Sequence, residues 1–463
     1  MAVSTVAPDQ DLSQNENLYE ARVESIATGG AGVARLDRRA VFIPKTAPGD
    51  TVRFRVVKEK GKYLIGELAE IIQAGPARTA PPCAHWSDCG GCPLQHIEPT
   101  AQAEAKKQIF LDTLTRIGKI DLGVPAQTVA FPGNEARYRM RARFQIRGTA
   151  IGFFAPGGRR LVKIEDCLLV ERPIADALGQ IRHLLQAEPR TRKIEAVEMT
   201  SLGEEEGASV GLYLHAAGRR DRGNWKIDPR TLSAWKKFAQ ENHFPQATAG
   251  RREPGAPPRW RARYRPDTGQ PELCLGVSPE SFIQPNRALN RLLVKSVVEE
   301  CRLNDEALVL DLYCGAGNFS LPLAVRAGRV LGVEENPYAV ADALLNREEN
   351  GVGNAAFLHR SVQELTTEEV VSKLGGQRPG VVVLDPPRKG ALETMPLVTA
   401  LAPERVVYVS CNPATLARDA RELVSSGYRA RAAYVFDMFP HTAHLEMLIS
   451  WTRNRPSGPT QRF

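Results

Sequence analysis

The stretch LVLDLYCGAGN, residues 308–318, reads as an apolar strand that runs into Asp311, a turn holding Gly315 and Gly317, and a helix opening near Phe319. Strand–turn–helix units of this kind build parallel sheets, and ligands of such sheets bind at the carboxyl ends of the strands. Outward from it the same alternation repeats. RVLGVEE, GVVVLDPP and RVVYVSC are further apolar runs, with helical stretches such as ALLNREENG and ATLARDARELVSSG between them. Residues 277–454 are therefore expected to form a doubly wound, Rossmann-like α/β domain. Glu334, closing the second run about twenty residues after the first turn, is placed to accept hydrogen bonds from a ribose. GxGxxG is absent, which favours S-adenosylmethionine (SAM) over a dinucleotide.

Three further motifs fall in this region. In VVVLDPPRKG (381–390), Asp385 closes a strand and Pro386-Pro387 forbid an immediate helix. In VVYVSCNPATLARD (406–419), Cys411 stands between an apolar strand and a helix, where the helix terminus is expected to lower a thiol pKa and make a nucleophile. In PHTAHLEMLISW (440–451), Glu446 lies in an apolar run, where burial should raise its pKa and suit it to act as a base. His441 and His444 are a pair only and are expected to be structural or substrate-orienting.

The N-terminal part has a different grammar. Residues 1–17 are polar and are expected to be a disordered tail, and 455–463 a C-terminal tail. Residues 18–74 carry five short alternating runs (YEARVESIA, GVARL, AVFIP, DTVRFRVVKE and YLIGELAEII), the pattern of a small OB-type barrel. Arg53, Arg55, Lys58, Lys60 and Lys62 would give it a basic face suited to nucleic acid. Residues 75–276 read as a mixed α+β region, with a helix near 100–117 that packs on the catalytic domain and a Gly/Arg/Pro-rich interruption at 248–272. This region holds Cys83-x5-Cys89-Gly-Gly-Cys92 and, further on, Cys167 in IEDCLLV. Three cysteines within ten residues point to metal ligation, and the spacing leaves zinc and iron–sulfur both open. Arg137, Arg139, Arg141 and Arg143 alternate, which on a strand would turn all four to one face for phosphate binding.

Composition bounds these readings. A chain of 463 residues with 43% hydrophobic and 25% charged residues is long enough for two to four domains and excludes wholesale disorder. No apolar run is long enough to span a bilayer, and the first residues lack a secretory signal. Eight cysteines are too few for a disulfide scaffold, so a soluble, cytoplasmic protein is expected. The net charge of +8 fits a polyanionic partner without requiring one. No heptads or pairing edge argue for more than a monomer.

Taken together, DLYCGAGNF, DPPRKG, SCNPATLARD, HTAHLE and SFIQPN (281–286) resemble the bacterial RNA 5-methyluridine methyltransferases, the TrmA/RumA family, over nearly the whole chain. The resemblance implies an N-terminal TRAM barrel, and it turns the metal choice to a [4Fe–4S] cluster on Cys83, Cys89, Cys92 and Cys167. It implies SAM contacts from Gln284, Tyr313, Asn318, Glu334 and Asp385. Ser361, in HRSVQE, falls where many members carry Asn or Asp beside the adenine. It also implies Cys411 as nucleophile and Glu446 as proton acceptor. Phe282 is a candidate to stack on a flipped base or to lie in the core. The barrel and the cysteine set point to the branch acting on 23S rRNA.

Two other readings stand beside this one. The first is a tRNA 5-methyluridine methyltransferase. The second is a non-catalytic iron–sulfur RNA-binding or ribosome-assembly factor, against which Gln284, Asp385, Cys411 and Glu446 are all present together. The C-x3-C-x2-C spacing of radical-SAM enzymes is absent.

Overall fold

Alternating burial along short strands builds the first sheet. The computed structural model describes residues 10–11, 17–130, 133, 135–204, 208–216, 227–245, 247–250, 257–258, 260–266 and 272–453. Much of the 248–272 interruption and the whole of 455–463 fall outside these, as does most of 1–17. Two compact units emerge: Met1–Phe110 with Phe154–Val162 and Phe439–His444, and the remainder.

In the first unit, β1 (Leu18–Arg22), β2 (Gly32–Leu36), β3 (Arg39–Ile43), β4 (Thr51–Lys60) and β5 (Tyr63–Gln73) share one sheet. β4 pairs antiparallel with β5, while β3 joins β5 in parallel. Val23, Ala34, Val41, Ile43, Val52, Phe54, Val56 and Leu64 fill its interior. Residues 10–11, expected within the tail, add a short strand to β4 instead. The expected basic face is partly neutralised within the sheet, because Arg53 pairs with Glu70 at 2.5 Å and Arg39 with Glu59. Helix α1 (Pro99–Thr113) follows the cysteine loop.

The second unit holds two main sheets. β6 (Ala126–Val129) precedes the strands of the smaller one, β7 (Arg141–Arg147), β8 (Ile194–Ser201) and β9 (Val210–Ala216), which pair antiparallel. The alternating arginines do not share a strand face. Arg137 lies before β7 with φ +54° and bonds Asp166, while Arg141, on the same strand face as Arg143, is covered and bonds Thr200 beside Glu198. Only Arg143 and Arg147 remain exposed along β7.

The larger sheet runs through β10 (Leu308–Leu312), β11 (Arg329–Glu334), β12 (Ala355–His359), β13 (Val381–Leu384), β14 (Arg405–Ser410), β15 (Tyr428–Phe436) and β16 (Glu446–Arg453). Its order is β12-β11-β10-β13-β14-β16-β15-β6. The first five strands are parallel, and β16 enters antiparallel to both β14 and β15. Chain order reverses between β10 and β13, the switch point at which open α/β sheets bind ligands. β6 comes from the stretch that sequence assigns to the central region. It pairs in parallel with β15 and covers an edge that would otherwise present unpaired backbone groups. The last turn after α1, Leu114–Gly118, lies against the helix that follows β14, where Gly118 leaves no room for a Cβ beside the Ala417 carbonyl.

Candidate functional site

A cavity of about 440 Å³ opens at the switch point. The parallel strands contribute from their carboxyl ends, and antiparallel β16 from its amino end. β10 delivers Tyr313, Gly315 and Asn318; β11 delivers Glu334; β13 delivers Asp385; β14 delivers Cys411. Glu446 begins β16, and the segment before α2 (Arg287–Cys301) brings Phe282 and Gln284.

The β10 turn is tightly wound. Tyr313, Gly315 and Gly317 all have positive φ, and the strain at the tyrosine is held by a 2.7 Å hydrogen bond between its hydroxyl and Thr394. Glu334 accepts from the Gly315 amide at 3.0 Å and the Asn336 amide at 2.8 Å, so its carboxylate is fixed at the cavity wall. Asn318 exchanges amide hydrogen bonds with Asn290 and also accepts from the Tyr264 hydroxyl at 2.9 Å. The Gln284 side chain is buried, and its oxygen has no partner among the described residues. A buried acceptor left open in a cavity is suited to a donor such as a ligand ammonium. Ser361 bonds Gln363 and is not among the residues lining the cavity.

The electrostatics point the same way. Glu334, Glu335, Asp385 and Glu446 line the cavity, with Arg388 the single basic side chain among the described lining residues. Burial, then the neighbouring Asp311 and Glu334 carboxyls, push Asp385 up to about 7. Beneath it burial lifts Asp311 to about 7, against the hydroxyl of Ser320 donating at 2.5 Å. Glu446 is raised well above the carboxylate range, by burial first and then by Asp385. Crowded, desolvated acids are relieved by a cation, so the cavity fits the positively charged sulfonium and ammonium of SAM.

Cys411 departs from its sequence expectation. It does precede a helix, α4 (Pro413–Ser425), capped by Asn412. Burial and then the Glu446 and Asp385 carboxyls nevertheless push its thiol up to about 11, overriding the helix terminus. Phe282 is 69% exposed at the cavity, which removes the core alternative.

Several positioning groups have a role that the sequence does not assign them. Asp419 in α4 accepts from the Ala391 amide at 2.6 Å and the Tyr408 hydroxyl at 2.7 Å. Asn412 donates to the Arg388 carbonyl at 2.9 Å, so the loop after Asp385 and the helix after Cys411 are joined. Gly390 has φ +79° and would place a Cβ 2.5 Å from Asp419. Asp342, on α3 (Pro337–Glu349), takes the hydroxyls of Ser278 and Ser281 at 2.7 and 2.6 Å. Arg141 grips the Ser281 carbonyl at 2.7 Å, which anchors the segment carrying Phe282 and Gln284. Tyr264 lines the cavity from within the Arg/Pro-rich stretch.

Cys83, Cys89 and Cys92 lie half-buried on one loop of the first unit, and Cys167 belongs to the second. None of the eight cysteines forms a disulfide. Burial raises the Cys89 thiol; the Gly91 amide, 3.5 Å from its sulfur, opposes this, and nearby Cys83 adds to it. Among the described residues no group of three or more His, Cys, Asp or Glu is gathered to hold a metal. Cys83, Cys89 and Cys92, three half-buried thiols on one loop, are of the kind that ligates iron–sulfur clusters.

The fold and cavity are those of a Rossmann-type methyltransferase. Residues 271–454 match the family described as tRNA (Uracil-5-)-methyltransferase, and residues 15–69 match the TRAM domain. A 23S rRNA (uracil(1939)-C(5))-methyltransferase RlmD of Methylococcus capsulatus is 35% identical, covering 94% of this chain and 96% of that protein. Its counterpart in Aeromonas salmonicida is 33% identical, covering 95% and 97%. The Pyrococcus abyssi tRNA (uracil-54, C5)-methyltransferase, solved with S-adenosyl-L-homocysteine, shares the fold with a TM-score of 0.69 at 24% identity, covering 94% of this chain and all of that one. The chain belongs to the RNA (uracil-5-)-methyltransferase family and is an enzyme of methyl transfer. Among the described residues no helix is long and apolar enough to cross a membrane.

Proposed function

We propose that the protein methylates C5 of a specific uracil in 23S rRNA. The observation that carries this reading is the convergence of Cys411, Glu446, Asp385, Glu334 and Gln284 on one cavity. SAM, when bound, supplies an electrophilic methyl group. Gln284, Glu334 and Asp385 hold it, with Tyr313 and Asn318 shaping the wall.

Uracil C5 is a weak nucleophile. Once the thiol proton has passed to solvent, the Cys411 thiolate bonds to C6, which breaks the ring conjugation and makes C5 an enolate carbon able to take the methyl group, the donor departing as a neutral thioether. Glu446 then removes the C5 proton, and the electron pair left behind expels the Cys411 thiolate and restores the double bond. Raised by burial and then by Asp385, Glu446 is, once ionised, a stronger base than a free carboxylate. The target base must leave its stack to reach these groups, and Phe282, exposed at the cavity, offers it a face.

The finer assignments belong to the same proposal. Cys83, Cys89, Cys92 and Cys167 hold a [4Fe–4S] cluster that serves RNA binding and structure rather than redox chemistry. Residues 18–74 act as the RNA-binding barrel, 75–276 as the cysteine-bearing RNA-contacting region and 277–454 as the methyl-transfer domain. The enzyme works as a cytoplasmic monomer.

Glu446→Gln, incubated anaerobically with SAM and either 23S rRNA or tRNA fragments, tests the reading on a denaturing gel. A protein–RNA adduct with ribosomal RNA, abolished by Cys411→Ala, is expected. An adduct with tRNA alone would overturn the substrate, and none with either RNA would overturn the covalent mechanism.

A further inference from the structure

In sequence the Gly/Arg/Pro-rich segment 248–272 is only an interruption, yet its Tyr264 is built into the wall of the cavity. Ala262–Tyr264 pairs antiparallel with Leu275–Val277, and the alternation of this short ribbon buries Ala262 and Tyr264 while Arg263 faces out. Arg261, whose side chain is 9% exposed, ties the ribbon down. Its guanidinium donates to the Gly276 carbonyl at 2.8 Å, to Glu349 at 2.7 Å and to the Asn346 side-chain oxygen. Asn346, buried on α3, also accepts from the Gly276 amide at 2.7 Å and donates to the Ala316 carbonyl at 2.9 Å, in the turn after β10. The ribbon and that turn share one anchor.

From this ribbon Tyr264 reaches Asn318. Burial pushes the phenol up, so the hydroxyl keeps its proton and acts as a donor. It donates to the Asn318 side-chain oxygen at 2.9 Å. The same oxygen accepts from the Asn290 NH2 group at 3.0 Å, and the Asn318 NH2 group donates back to the Asn290 oxygen at 3.0 Å. An amide oxygen has two lone pairs, so both are taken, and the amide cannot rotate without breaking this whole set. One Asn318 N–H goes to Asn290, and no hydrogen bond among the described residues uses the other. Toward the cavity that it lines, Asn318 therefore offers a donor and no acceptor.

SAM carries one anionic acceptor, its carboxylate, and most of the charged wall repels it. Glu334, Glu335, Asp385 and Glu446 line the cavity, with Arg388 the single basic side chain among the described lining residues. A neutral N–H held in place is suited to that anion, since hydrogen bonds to an ionised acceptor are the strong ones. We propose that Tyr264 is a positioning residue for the cofactor: its hydroxyl locks the Asn318 amide so that the remaining N–H meets the SAM carboxylate. This rests on the cavity being the SAM site. It also gives the Arg/Pro-rich segment a function, because Arg261 and Asn346 hold the ribbon where the hydroxyl reaches Asn318.

Tyr264→Phe, in the full chain, removes one oxygen and keeps the ring. The probes are SAM and decarboxylated SAM, which lacks the carboxylate. Affinity is read by calorimetry, folding by thermal melting, and KM and kcat on the RNA substrate. Releasing a donor from its charged acceptor weakens SAM by about tenfold. The KM for SAM rises by a similar factor, while kcat at saturating SAM stays within about twofold. Decarboxylated SAM binds parent and variant alike. In Asn318→Ala, which lacks the amide, adding Tyr264→Phe weakens SAM no further, as expected of two residues that act through one contact. Unchanged SAM affinity in Tyr264→Phe, equal weakening of both probes, or additive losses in the double variant each overturn the proposal. So does failure of Tyr264→Phe to fold, which would make the hydroxyl a stability element. A parent protein that does not bind SAM would instead strike the reading of the cavity itself.

Discussion

The Asp385 and Glu446 carboxyls share one buried cavity, and the charge on Asp385 helps to keep the proton on Glu446. The pair links cofactor binding to base strength. Neutralising Asp385 removes a like charge and lets Glu446 ionise at lower pH. The acid limb of kcat, which reports the group that must be ionised in the complex, is therefore expected above the ordinary carboxylate range and shifts to lower pH in Asp385→Asn at saturating SAM. A limb that stays in place would dissociate the two groups.

Cys411 is pushed up to about 11, with Glu446 among the causes after burial. In the ligand-free protein it should alkylate with iodoacetamide more slowly at pH 8 than a free thiol. Glu446→Gln removes a nearby negative charge, which lowers the thiol pKa and raises the thiolate fraction. One pKa unit would speed alkylation about tenfold. A rate that falls in this variant would contradict the electrostatic account.

Asp419 joins the loop of Asp385 to the helix after Cys411. Asp419→Ala leaves the Ala391 amide and the Tyr408 hydroxyl without their buried acceptor. A loss of about 3 kcal/mol in urea unfolding is expected, with weaker SAM binding. A variant as stable as the parent would show that the two elements hold without this hub.

Asp311 is raised by burial to about 7. A carboxyl whose folded pKa exceeds its unfolded value stabilises the fold below about pH 4 and loses that contribution as pH rises to about 7. Asp311→Asn cannot ionise, so the melting temperature of the ligand-free variant should fall less steeply than the parent's across that window. Parallel curves would place the strain elsewhere.

Cysteine ligation is checked by iron and acid-labile sulfide in anaerobically purified protein. Four of each per chain are expected, lost on replacing Cys83, Cys89, Cys92 or Cys167 by Ser. Zinc in place of iron would decide the ambiguity of spacing the other way.

The strand–turn–helix alternation was legible because apolar runs ending in Asp311, Glu334, Asp385 and Cys411 carry their geometry locally. Gln284, Tyr313, Asn318, Glu334, Asp385, Cys411 and Glu446 all line the cavity, whereas Ser361 does not. Asp342 and Tyr264 were not legible, since their partners lie far off in sequence and no periodicity marks them; Arg141 and Asp419 stand in quoted stretches, but their positioning roles depend on partners that only the fold brings near. The alternating arginines misled for a related reason. Regular spacing implies one face only where the backbone is extended throughout, and the positive φ at Arg137 breaks that condition. The Cys411 thiol followed its carboxylate neighbours, which only the folded chain brings together.

The pairing of Ala126–Val129 with Tyr428–Phe436 has a consequence for how the chain matures. Loop closure across about 300 residues is slow and depends on topology more than on local preference. A ribosome delivers the first partner long before the second, so the edge of the methyl-transfer sheet is sealed only once nearly the whole chain has emerged. A fragment beginning at residue 277 would carry every described cavity residue but Tyr264 and still expose a strand edge open to pairing between copies. Aggregation of such a fragment, cured by supplying residues 111–153 in trans, would mark the early strand as the final closing step of folding.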